Sequence, residues 1–73
     1  MVVYESDLKK QAISAMEHCM AYITVGDMKR AHQSYGEARA YEDMLTDEGI
    51  DLELENEHFR EMKHIYFMKG AKQ

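Results

Sequence analysis

The sequence predicts an all-α fold: a long antiparallel helical hairpin plus a third, C-terminal helix, in one domain over residues 1–73. Three observations predict it. Apolar residues recur at three- and four-residue steps along nearly the whole chain, which gathers them on one helix face. Two glycines, Gly26 and Gly49, stand where the stripes stop. The turn Val25-Gly26-Asp27 is so short that the helices beside it must fold back on one another.

The first helix is expected over 6–25. Leu8, Ala12, Ala15, Met16, Cys19 and Ile23 form its apolar face. Ser6 supplies a capping hydroxyl, and Asp7 an anion at the positive end of the dipole. Gly26 stops this helix and Asp27 caps the next.

The second helix is expected over 27–48, with Met28, Ala31, Tyr35, Ala38 and Leu45 as its stripe. Glu42 falls on that stripe and is expected at its edge, reaching water. Gly36 and Ala40 make a separate small-residue stripe, one turn apart. A glycine inside a helix costs about 1 kcal/mol relative to alanine, so Gly36 is expected to allow close contact with another backbone. Gly49 ends the helix, and Ile50 is expected to pack back on Leu45.

Residues 50–55 alternate strictly, which is a strand pattern, and Val2-Val3-Tyr4 or a second subunit would be the partner. Glu, Asp and Leu are poor strand formers. The preferred reading is a third helix near 52–68, capped by Asp51 or Asn56, with Leu52, Phe59, Met62, Ile65 and Tyr66 on its apolar face. Lys69 to Gln73 read as a frayed basic end.

Residues 12–45 resemble a tetratricopeptide repeat. Tyr22, Gly26-Asp27, Ala31, Tyr35 and Ala38 stand at the offsets where that repeat carries a tyrosine, a Gly-Asp turn, an alanine, an aromatic and an alanine. Cys19 stands at a small-residue position. Ala15, His18 and Asp43 replace its usual aromatic, leucine and proline. The resemblance implies an antiparallel helical pair, and the chain has room for one repeat where arrays need about three.

At 73 residues the chain buries only about 60% of the surface it exposes when unfolded. It has one cysteine, so no internal disulfide can staple it. The N-terminus shows no signal-peptide pattern and no stretch reaches the length of a transmembrane helix. A cytoplasmic protein without membrane attachment is expected.

Charge is uneven. Residues 1–41 carry five acids and five bases. Residues 42–61 carry nine acids and one base, a net of −8, and residues 62–73 carry three lysines. Net acidity excludes nucleic acid as a direct ligand. It points instead to a basic protein partner, such as a nucleic-acid-binding enzyme of a host, because clustered carboxylates steer association. The expected contacts are Glu42, Asp43, Asp47, Glu48, Asp51, Glu53, Glu55 and Glu57. In size and charge the chain resembles small phage and mobile-element accessory proteins, including anti-defence inhibitors, and that resemblance implies a non-catalytic inhibitor.

Two alternatives stand beside this one. Seven Met and five Tyr are many for so small a core, so a homodimer or higher oligomer is expected. Its interface would draw on Gly36, Ala40, Tyr41, Met44 and Phe67, with Ile13, Met20 and Met68 also off the main stripes. The other alternative is a metal site. Glu57, Glu61 and His64 share one helix face, and Glu61-x-x-His64 has the spacing of di-iron bundles. In supplying one Glu and one Glu-x-x-His for a dimer to complete, the chain resembles the encapsulated ferritins.

No catalytic motif is present, so an enzyme and a cofactor are not expected. Cys19 is expected buried and inert. His18 is expected beside the core, and His32 and His58 exposed.

Overall fold

The computed structural model describes the backbone of residues 2–70 and the side chains of residues 5–69. Among the described residues four α-helices follow in order: α1 (Val2–Val25), α2 (Met28–Asp47), α3 (Leu52–Glu55) and α4 (Glu57–Ile65). Helix α4 runs directly into a π-helical turn, Tyr66–Gly70. The all-α hairpin that the sequence predicts is present, with α1 and α2 as its long arms.

Both glycine turns form as the local chemistry dictates. Gly26 and Gly49 each adopt φ +81°, a left-handed conformation that costs other residues energy. At the first turn Gly26 N–H donates to Ile23 O and Asp27 N–H to Tyr22 O. At the second, Gly49 N–H donates to Thr46 O and Ile50 N–H to Leu45 O. These paired bonds satisfy carbonyls that would otherwise be orphaned at a helix end. Ile50 packs on the core that includes Leu45. Asp27 caps α2 by accepting from Arg30 N–H at 3.2 Å.

The structure differs from the expected boundaries in two places. Helix α1 starts at Val2, so Ser6 and Asp7 lie inside it, and Val2-Val3-Tyr4 is helical. Glu5 is the anion of its first turn. The third helix is not continuous. Both candidate caps are used: Asp51 accepts from Leu54 N–H, and Asn56 accepts from Phe59 N–H. Asn56 is extended at φ −131° and ψ 102°, which splits the segment into α3 and α4. Residues 50–55 are therefore a loop and one helical turn. Residues 71–73 of the expected basic end lie outside the described residues.

Contacts between the arms fix their directions. Lys9 meets Glu55 and Glu17 meets His58, so the third arm runs parallel to α1. Glu42 meets Lys63 and His32 meets Tyr66, so it runs antiparallel to α2. The result is an up-down-up bundle of 38 × 18 × 16 Å. Its core is Leu8, Met16 and Cys19 from α1, Leu45 from α2, and Leu52 and Phe59 from the third arm, with small Ala12, Ala31 and Ala38 at the crossing. Small residues there let the backbones of the hairpin approach closely.

Candidate functional site

The acidic block of residues 42–61 is gathered around the α2–α3 turn, and the fold neutralises part of it. Glu42 is buried rather than at the edge of its stripe. Lys63 Nζ donates to both of its carboxylate oxygens, at 3.0 and 3.1 Å, and to Glu53 Oε2 at 2.6 Å. Arg39 reaches Glu42 at 3.4 Å and Asp43 at 3.7 Å. Lys9 lies 2.7 Å from Glu55, and Arg60 lies 3.5 Å from Glu57.

These bonds shift the groups that make them. Lys63 holds the Glu53 carboxyl below the usual carboxylate range. Burial alone would depress the Lys63 ammonium. Hydrogen bonds to Glu53 and Glu42 outweigh that effect and hold it above the ordinary lysine range. Glu42 therefore belongs to the inside of the fold, where Lys63 and Arg39 neutralise it.

What remains outside is narrower than the block. Asp47, Glu48, Asp51 and Glu61 are exposed and form no salt bridge among the described residues. Asp47 is the last residue of α2 and Glu48 its C-cap, with no basic residue in the last turn. Carboxylates there face the negative end of the helix dipole, which costs about 0.3–1 kcal/mol each. Asp51 follows three residues on and spends one oxygen on its cap. Nine carboxylates of the block face four cations, Lys9, Arg39, Arg60 and Lys63, which leaves five negative charges.

The expected interface residues divide. Gly36, Ala40 and Met44 lie at four-residue steps on the outer face of α2, and all three are exposed. A Cβ at Gly36 would meet nothing within 4 Å, so no close backbone contact uses it among the described residues. Tyr41 and Ile13 turn inward and pack partly against the core. Phe67 is 51% exposed and belongs to an aromatic cluster at the other end. There Tyr35 and Tyr66 stack at 3.8 Å, and Phe67 stands edge-on to both. The Tyr66 hydroxyl and His32 Nδ1 share a hydrogen bond of 2.7 Å. The π-helical turn begins at Tyr66, so this cluster occupies a widened turn.

Among the described residues, no three His, Cys, Asp or Glu side chains converge to hold a metal ion. Glu57 is turned toward Arg60, and Glu61 and His64 are exposed, so one chain does not assemble the expected Glu57, Glu61 and His64 set. Cys19 is fully buried, and burial pushes its thiol up to about 11. His18 is exposed rather than satisfied beside the core. No helix is long and apolar enough to cross a membrane among the described residues.

Sequence reasoning missed Lys63 and Lys9 as internal partners of the acidic block. One signal for Lys63 was available: it sits between Met62 and Tyr66 on the third arm, while Glu42 sits between Ala38 and Leu45. Opposite charges on two facing apolar stripes imply a pair. An open apolar groove between α1 and α4 was missed as well. It measures about 810 Å³ and is lined by Met20, Ile23, Met62 and Ile65, with Glu17 and Lys69 also on its wall.

No protein-family model, no curated protein and no solved structure matches this chain.

Proposed function

We propose that this chain is a non-catalytic protein-binding module, whose acidic corner at the α2–α3 turn engages a basic surface on another protein. Asp47, Glu48 and Asp51 are the contact residues. A surface built for a nucleic-acid backbone is the kind of partner that such a corner fits, because it presents Lys and Arg at phosphate spacing. The resemblance in size and charge to phage accessory inhibitors implies the same partner class.

One observation carries this reading. The fold supplies cations for Glu42, Asp43, Glu53, Glu55 and Glu57, yet among the described residues it supplies none for Asp47 and Glu48 at the end of α2, where they destabilise it. Local rules are broken at sites that serve function, because stability alone selects against the arrangement. The three carboxylates sit on rigid elements, two at the end of a 20-residue helix and one as a helix cap. Fixed positions steer a partner without the ordering entropy of a disordered tail.

The test is affinity capture with the wild-type chain and with Asp47→Lys/Glu48→Lys as baits. Neither residue holds an internal cation, so the fold is retained. A basic protein captured by the wild type and lost with the variant supports the reading. Equal capture by both baits sinks it.

A further inference from the structure

The groove between α1 and α4 has no occupant among the described residues, and its two walls share one pattern. On the third arm His58, Met62, Ile65 and Lys69 are spaced four, three and four residues apart. On α1, Glu17, Met20 and Thr24 are spaced three and four apart, with Ile23 beside Thr24. Alternating three- and four-residue steps are the pattern of a seam that receives another helix. Here both seams lie side by side and parallel, so a second pair of helices with the same seams can meet both at once.

The charges say which pair. Glu17 lies 3.5 Å from His58 at one end of the groove. Lys69 follows His58 by eleven residues, about 16 Å along a helix, and so stands at the opposite end. Glu17 and Lys69 are both exposed, and Lys69 has no ion-pair partner among the described residues. A copy of the same groove, turned by a two-fold axis across its middle, places its Lys69 over the Glu17–His58 pair and its own Glu17–His58 pair over Lys69. Such a face is self-complementary, as an isologous dimer requires.

We propose that this groove is the interface between two copies of the chain. They pack antiparallel through Met20, Ile23 and Ile65, over a floor made by the buried Met62, to form a four-helix layer from two α1–α4 pairs. Methionine and isoleucine fill the seam, and the Glu17–Lys69 pairs at both ends set its register. Ile65, 40% exposed in the single chain, becomes buried in the dimer. This surface is distinct from the acidic corner and from the outer face of α2, where Gly36, Ala40 and Met44 lie.

The test is sedimentation equilibrium over a range of micromolar concentrations, with the wild type and four variants. The expected wild-type mass is twice 8.6 kDa at the upper concentrations. Glu17→Lys and Lys69→Glu each turn two attractions into two repulsions and raise the dissociation constant by about tenfold. The double variant, Glu17→Lys/Lys69→Glu, restores the attraction and returns to wild-type affinity. Ile65→Glu is monomeric with its helix content retained by circular dichroism. A wild type that stays monomeric, including one that instead takes up an unrelated amphipathic helix, overturns the proposal. So does a dimer that neither reversal weakens, or one that the double variant fails to rescue.

Discussion

Lys63 donates to both carboxylate oxygens of Glu42, at 3.0 and 3.1 Å, across the contact between α4 and α2. Both side chains are nearly excluded from water, at 12% and 10% exposure. A third partner, Glu53, closes the network from α3. One cation thus ties the third arm to the hairpin.

A buried ion pair is costly to break and cheap to replace. Lys63→Met leaves Glu42 buried with only Arg39 at 3.4 Å. The expected loss of stability is about 2 kcal/mol, less than the ~3–5 kcal/mol for a wholly orphaned charge. The double variant Glu42→Leu/Lys63→Met is expected within about 1 kcal/mol of wild type. Urea unfolding of the three proteins checks this. A double variant as unstable as the single one contradicts it.

The same network fixes an acid limb of stability. The folded pKa of Glu53 is depressed because Lys63 donates to it. Its contribution is therefore fully present above the ordinary carboxylate value of 4.5 and is lost as pH falls through the lower folded value. Lys63 is raised above 10.5, so its contribution persists to that pH and is lost above it. The stability gap between wild type and Glu53→Gln is expected to be open at neutral pH and to close on acidification. Thermal melts from neutral pH down to strongly acidic pH measure it. A gap that does not change with pH removes Glu53 from the network.

The glycines separate by backbone conformation. Gly26→Ala and Gly49→Ala each place a side chain at φ +81° and are expected to cost about 1 kcal/mol. Both costs are local to the backbone, since a Cβ at either position meets no other part of the structure within 4 Å. Gly36→Ala has the same open space inside a helix and is expected to stabilise by about 1 kcal/mol. Denaturant midpoints test all three. Loss of stability at Gly36→Ala implies a contact that the single chain does not make.

The aromatic cluster joins α2 to the C-terminal arm at Tyr66. Tyr66→Phe keeps the 3.8 Å stack on Tyr35 and loses the bond to His32, for an expected cost of about 1 kcal/mol. His32→Ala loses the same bond, so the double variant is expected to cost little more than either single one. Additive losses by chemical denaturation break the assigned pair.

Much of this architecture was legible locally. Gly26, Gly49, Asp27, Asp51 and Asn56 act through their own backbones within a few residues, and each does what its chemistry predicts. Asn56 was legible as a cap but not as a break, because a cap at Asp51 was equally open to the same segment. The Glu42–Lys63 pair spans 21 residues, and no local pattern joins them. Read by sequence spacing alone, Glu42 belonged at the edge of its stripe. Read in the bundle, it faces Lys63. The acidic block shrank for the same reason: Lys9, Arg39 and Lys63 come from outside it. Its corner at Asp47, Glu48 and Asp51 is what three-dimensional pairing leaves over.

That corner implies a trade between stability and binding, and one variant reads both. Asp47→Asn/Glu48→Gln removes two carboxylates from the negative end of α2. Helix-dipole relief of about 1 kcal/mol is expected to raise the melting temperature by roughly 4–8 °C. The same variant is expected to bind immobilised polylysine more weakly than Asp7→Asn/Glu37→Gln, a control with an equal change in net charge at exposed positions elsewhere. Higher melting temperature with weaker binding than the control is the predicted result. An unchanged or lower melting temperature, or binding equal to the control, contradicts the account.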